Sequence, residues 1–210
     1  MFRLLNYKQV DPTHTALVIV DVQNDYCDSK GNLGKQGLDI SMVDEMIAPL
    51  AETVAQAREN EVPIIFIQTI HEPSTDSVTW ANRLRDANQE GICRKDTWGA
   101  EFYKIKPKKE DIIVIKHRYS AFINTRLDSV LRSLNIKSLI VTGVSTNVCV
   151  ESTARDGFML DYDIVLLSDC TAAYSKEAYE MTLKNIDQYF GSVCESKDVI
   201  ESWHALEKTS

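Results

Sequence analysis

At 210 residues, with 44% apolar and 26% charged side chains, the chain has the make-up of a single globular domain able to bury one core. A formal net charge of −8, with no basic run longer than Lys106–Lys109, excludes a nucleic-acid binder, which needs a concentrated basic face. No window approaches the roughly 18 apolar residues of a membrane span, and the opening MFRLLNYKQVDPTHT has no long apolar signal segment, so a cytoplasmic chain that meets neither nucleic acid nor membrane is expected.

Five short apolar runs follow one another: ALVIVD to Asp21, PIIFIQT to Thr69, DIIVIK to Lys116, SLIVTG to Gly143 and DIVLLSD to Asp169, with a weaker sixth in SVC at 192–194. Each is too short for a buried helix and rich in Val and Ile, which predicts strands buried on both faces. After the first run, SMVDEMIAPLAETVAQARENE carries Val43, Ile47, Leu50, Val54 and Ala57 at helical spacing. Ser41 is its expected N-cap, and Pro49 predicts a kink or a break. The segment His71–Lys108 has no clear periodicity, and so long an irregular stretch is expected to cover a site or build an oligomer interface. NTRLDSVLRSLNI sets Leu127, Val130, Leu131 and Leu134 on one helical face behind Asn124 or Thr125 as cap. A further helix is expected to begin near Val148, capped by Thr146 or Asn147, and another to run from Ser175 to a stop at Gly191. Strands alternating with helices predict parallel βαβ units, hence a three-layer α/β/α sandwich around a mainly parallel sheet of about six strands, in one domain over residues 1–210.

In open parallel sheets ligands bind outside the carboxyl ends of the strands. Three such ends carry reactive groups: Asp21, Lys116 and, in the loop after Gly143, Cys149. A carboxylate that accepts a thiol proton, an ammonium that holds both anions and a thiolate that attacks a carbonyl make a nucleophilic centre. In the first turn of a helix the sulfur meets free N–H groups and the positive end of the dipole, which predicts a lowered thiol pKa and an oxyanion hole. Each residue also has an ordinary use: an acid as a cap, a lysine as a solvated strand end, a cysteine as packing. The five cysteines are widely spaced, odd in number and without a CxxC pair, so neither a disulfide framework nor a zinc ribbon is indicated. Arg118 could hold a substrate carboxylate, although a structural ion pair is the commoner use of such an arginine. Arg155 and Asp156 are expected to pair near the cysteine helix. If the first, third and fourth strand ends share a pocket, those strands should be near neighbours, as in a flavodoxin-like order.

In three separate stretches, VIVDVQNDY around Asp21, VIKHRYSAF around Lys116 and TGVSTNVCVESTARDGF around Cys149, the chain resembles the isochorismatase-like cysteine hydrolase superfamily. The resemblance covers most of the chain and is strongest, through KHRYSAF and TNVCVES, to the ureidoacrylate and biuret amidohydrolase group. It implies a catalytic triad of Asp21, Lys116 and Cys149, a cis bond between Val144 and Ser145, and an oxyanion hole from the N–H groups of Ser145 and Cys149. It implies a small-molecule amide or ureide as substrate, with Tyr26, Phe122 and Trp80 lining the pocket, and a homo-oligomer (dimer or tetramer). A nicotinamidase-type or isochorismatase-type hydrolase is the alternative within the same fold, and a non-catalytic binding or assembly protein that keeps the fold is a third, less favoured by the complete triad. Nicotinamidases bind a metal through an acid and histidines after the second strand. Here QTIHEPSTDS offers His71 without an Asp-x-His arrangement, so no metal and no cofactor are expected, and His71 is expected to line the pocket or face solvent.

Overall fold

The structure, a computed structural model, describes residues 5–82 and 91–207. Six parallel strands form one sheet: β1 (Thr15–Val20), β2 (Ile64–Thr69), β3 (Ile112–Lys116), β4 (Ser138–Val144), β5 (Asp163–Ala172) and β6 (Ser192–Cys194). The helices between and after them are α1 (Asn24–Cys27), α2 (Asn32–Lys35), α3 (Ser41–Glu59), α4 (Val78–Ala81), α5 (Leu127–Ser133), α6 (Glu151–Met159), α7 (Lys176–Asn185) and α8 (Ser196–Glu207). β1 shows why the sheet needs cover on both sides. Its residues alternate by the two-residue strand period: Leu17 and Ile19 pack with Val43, Met46, Leu50 and Val54 of α3 and with Val199 and Trp203 of α8. Ala16, Val18 and Val20 pack with Leu127 and Leu131 of α5, Ala154 of α6 and Leu183 of α7. The expected three-layer architecture and its six strands are therefore what the chain forms.

The strand order is β3-β2-β1-β4-β5-β6. This corrects the expected flavodoxin-like order, since β3 lies at the far edge with β2 between it and β1. The reason is the reach of a lysine. Adjacent strands lie about 4.8 Å apart, so the Lys116 side chain spans β2 and meets Asp21 without strand adjacency. Numbering ascends in both directions from the β1–β4 pair, which makes the space above those two strands the topological switch point.

Local details differ from expectation in instructive ways. α3 runs unbroken from Ser41 to Glu59 through Pro49. The carbonyl that loses its partner belongs to Glu45, which is exposed, while the apolar stripe on either side of the proline stays docked on the sheet. Its first turn is capped by Asp39, whose carboxylate accepts the Ser41 N–H at 2.9 Å. α5 starts after Arg126 rather than at an Asn124 or Thr125 cap, and Thr125 accepts the Leu127 N–H at 3.1 Å from just outside the helix. Asp169 lies inside β5 and binds Ser196 N–H and Oγ at 2.8 and 2.6 Å, anchoring the start of α8. Gly143 has φ +102°, and a Cβ there would lie 2.1 Å from the Val20 carbonyl oxygen. Only glycine lets β4 press this close to the end of β1, and that approach brings the loops after the two strands together.

Candidate active site

Asp21 leaves β1 in the left-handed region, φ 53°, with its N–H still bonded to the Ile67 carbonyl at 3.1 Å. Aspartate tolerates that conformation better than most side chains. Two residues on, Gln23 is fully buried and acts as a clamp. Its Nε2 donates to the carbonyls of Thr69 and Ala100, both at 2.8 Å, and its Oε1 accepts the Thr69 N–H at 2.8 Å. This fixes Thr69, whose hydroxyl donates to Asp21 Oδ1 at 2.9 Å and accepts from Lys116 Nζ at 2.8 Å.

Lys116 Nζ reaches Asp21 Oδ2 at 2.7 Å, the Arg118 carbonyl at 3.0 Å and Cys149 Sγ at 3.4 Å. Asp21 and Lys116 are each 1% exposed, so the pair is cut off from bulk water. Burial alone pushes the lysine pKa down. The Asp21 carboxylate and the sulfur of Cys149 push it up and prevail, so the amine stays an ammonium. Asp21 Oδ2 is paired with the Lys116 ammonium, and a carboxylate oxygen so held keeps a lone pair for a thiol proton.

Cys149 stands in a π-helical turn, Thr146–Val150, that leads directly into α6. The bond before Ser145 is cis. The Ser145 carbonyl accepts the N–H groups of Val148 at 3.0 Å and Val150 at 3.2 Å, passing over that of Cys149 between them. Thr153 braces the turn from below by donating to the Cys149 carbonyl at 2.7 Å and accepting the Ala121 N–H at 3.0 Å. Thr171 ties the other side, donating to the Gly143 carbonyl at 2.8 Å with its hydroxyl 2.9 Å from that of Thr146.

The expected lowering of the Cys149 pKa by the helix terminus is not what the site produces. Burial pushes the thiol up to about 12, and the nearby Lys116 only partly opposes it. The sulfur is therefore held as a thiol, to be ionised only when its proton moves to Asp21. Because the folded state binds that proton more tightly than the unfolded chain, this contribution to stability is present below the ordinary thiol pKa of 9.0. It is lost as pH rises from there toward about 12. Iodoacetamide labelling of Cys149 in the free protein, read at the peptide level, should be slow at neutral pH and still climbing above pH ~10. A rate that levels off near pH ~7 would contradict the burial argument.

The three side chains open onto a cavity of about 390 Å³. Ser145, Asn147 and Val148 form its wall beside the sulfur, and Tyr26, Leu33, Leu38 and Tyr174 form an apolar side. His71 and Trp80, from the irregular stretch after β2, close it together with Arg118 and Tyr119. That stretch thus covers the cavity, although residues 83–90 within it lie outside the described residues. The buried carboxylate of Asp25 secures it by accepting the N–H groups of Cys93 at 2.6 Å and Asn32 at 3.0 Å.

Of the residues expected to touch substrate, Tyr26 and Trp80 line the cavity and Phe122 does not. Phe122 stacks on Tyr162 with ring centroids 5.9 Å apart and packs with the core beneath α6. The turn after Arg118 carries it past the cavity to the helical layer. Arg155 pairs with Glu151, one helical turn earlier, at 2.9 Å rather than with Asp156, because successive helical residues do not face each other. Arg118 has no carboxylate partner among the described residues, contrary to the expected ion pair. Among those residues no three His, Cys, Asp or Glu side chains converge as a metal site. Thr69, Gln23 and Tyr174 are site residues that the sequence did not single out. Asn147, expected with Thr146 as a helix cap, does not cap the turn, which begins after Ser145; it lines the cavity and accepts the Ser145 hydroxyl at 2.8 Å. For Thr69 a signal existed, since it ends an apolar run as Asp21 and Lys116 do.

Comparison with known proteins places this arrangement. Residues 15–198 match the model of the isochorismatase domain. A ureidoacrylate amidohydrolase, RutB, of Pseudomonas syringae pv. syringae is 39% identical, over 96% of this chain and 89% of the relative. Among solved structures, a cysteine hydrolase from Pseudomonas syringae pv. phaseolicola superposes with a TM-score of 0.85 at 27% identity, covering 97% of both chains. The nicotinamidase PncA of Bacillus subtilis gives a TM-score of 0.71 at 25% identity, over 86% of this chain and 99% of the other.

Proposed function

The chain belongs to the isochorismatase family, and within it we propose that it is a cysteine amidohydrolase that cleaves a C–N bond of a small ureido or carboxamide substrate. The observation that carries this reading is the buried contact set of Lys116 with Asp21 Oδ2 at 2.7 Å and Cys149 Sγ at 3.4 Å, which lines a cavity of about 390 Å³. The relatives that act on ureidoacrylate direct the choice of substrate toward ureides.

In this reading Asp21 takes the proton of Cys149 as the sulfur attacks the carbonyl carbon, and Lys116 holds carboxylate and thiolate in register. The carbonyl oxygen becomes an oxyanion that rests on the N–H groups of Ser145 and Cys149, each worth about 3 kcal/mol where such donors have been removed. Collapse of the adduct breaks the C–N bond, and Asp21 gives its proton to the departing ammonia or amine. A water then adds to the thioester, Asp21 accepts its proton, and the thiol is restored as the acid leaves. Tyr26 and Trp80 provide apolar walls for the substrate in this scheme.

The reading includes a cytoplasmic setting, supported by five unpaired cysteines, all buried. It also includes a homo-oligomer. The exposed isoleucines Ile113 and Ile115 on the edge strand β3 are apolar surface that a second copy could bury.

An ammonia-release screen over ureido acids, simple amides and nicotinamide tests the reading, with the Cys149→Ala protein as blank. Turnover of at least one ureide or amide by the unaltered protein alone is the expected result. Nicotinamide turnover that stops with chelator and returns with zinc would replace it with the nicotinamidase alternative.

A further inference from the structure

Among the described residues that line the cavity, the Arg118 guanidinium takes no part in the proposed hydrolysis. Arg118 follows β3 two residues after Lys116 and lines the cavity beside Trp80 and Tyr119. Its Nη1 donates to the carbonyls of Thr75 at 3.1 Å and His117 at 2.6 Å. Its Cζ lies 4.9 Å from the centre of the Trp80 ring, which holds the guanidinium in place. One corner of the fork is therefore fixed. Among the described residues the edge formed by Nε–H and Nη2 meets no acceptor, and no Asp or Glu neutralises the group.

That edge presents two parallel N–H donors, the spacing that a carboxylate's two oxygens match. The charge balance points the same way. Asp21 and Lys116 neutralise each other, so among the described lining residues Arg118 leaves the cavity positive in a chain whose net charge is −8. A cavity of opposite sign to its surroundings concentrates anions. Leaving a guanidinium half-buried without an acid partner is costly unless a ligand supplies one.

We propose that Arg118 is a specificity-determining residue that grips a carboxylate at the far end of the substrate, so that short ureido or amido acids are hydrolysed in preference to neutral ureas and amides. The proposal rests on the hydrolase reading and names its substrate class. The cavity, at about 390 Å³, suits a small acid of this kind. The ureido or amide end meets Cys149 while the carboxylate lies on the Nε–Nη2 edge, and the Trp80–Arg118 stack sets the distance between the two ends.

The experiment compares kcat/KM for ureidoacetate, 3-ureidopropionate and 4-ureidobutyrate with that for their methyl esters, using unaltered protein, Arg118→Gln and Arg118→Lys. The unaltered protein should favour at least one acid over its ester. Arg118→Gln should lower that acid's kcat/KM by roughly 100-fold more than the ester's, chiefly through KM, and Arg118→Lys should recover part of the loss. Equal losses on acid and ester would overturn the proposal and leave Arg118 as a clip for the Thr75 turn. Calorimetry on the Cys149→Ala protein separates this from failure of the hydrolase reading, because it needs no turnover. Acid binding that exceeds ester binding and is lost in Arg118→Gln supports the anchor even where no ammonia is released. Acid and ester binding alike, or a preference that survives Arg118→Gln, counts against it.

Discussion

Asp21→Asn should lower kcat by roughly 10⁴-fold or more, because the group that takes and returns the thiol proton is gone. It should also destabilise the fold. Asp21 and Lys116 are 1% exposed, and removing one charge of a buried pair leaves the other without its counter-ion, a loss of about 3–5 kcal/mol. In a domain of this size that is a drop in melting temperature of about 10 °C. Lys116 can relieve part of the cost by shedding its proton, since burial pushes its pKa down once the carboxylate is removed. With a folded pKa below the unfolded one, the unfolded chain binds more protons, so the variant regains stability as pH rises toward the ordinary lysine value. Adding Lys116→Met should restore much of the stability and none of the activity. Urea denaturation of the two single variants and the double variant measures the coupling. A double variant no more stable than Asp21→Asn would show that the pair does not act as described.

Cys149→Ala carries the second large effect. The sulfur is the attacking atom in the proposed chemistry, so its removal should abolish turnover to the background of the assay, a loss of roughly 10⁴-fold or more. The thiol is nearly buried and small, and its truncation opens little space, so the variant should fold and still bind substrate. Cys149→Ser is a sharper probe. A hydroxyl is far less acidic than a thiol, and a site that already holds the thiol pKa near 12 gives a serine no thiolate-like route. The serine variant should be nearly as inactive as the alanine one. Substantial activity in either variant would take Cys149 out of the reaction.

Much of this site was legible in the sequence because its key side chains sit where apolar runs stop. Asp21 and Lys116 each end or immediately follow a strand, and such ends must lie on one rim of a parallel sheet. What was not legible depends on distances that only packing sets. Strand adjacency looked necessary for convergence, yet the length of the Lys116 side chain made it unnecessary, and β3 went to the edge. The thiol pKa looked depressed from the local helix terminus, but burial by side chains distant in sequence reversed it. Phe122 shares a motif with Arg118 and Tyr119, yet the chain turns after them, and it joins the core under α6. The clamp formed by Gln23 on Thr69 and Ala100 joins residues 46 and 77 positions apart, beyond any local pattern. Arg118 shows the converse. Two uses were open on sequence grounds, and the contacts of its Nη1 with two carbonyls, without a carboxylate among the described residues, favour the ligand-facing one.

The central claim is that Cys149 forms a covalent bond to the substrate's carbonyl carbon. Acid-quenched intact-mass analysis during turnover of the best substrate from the ammonia screen tests it directly, with peptide mapping to locate any adduct. A mass increase equal to the acyl fragment is expected on the Cys149 peptide, absent from Cys149→Ala and decaying as substrate is exhausted. Sustained Cys149-independent ammonia release, with no adduct on that peptide under conditions that trap thioesters, would contradict it.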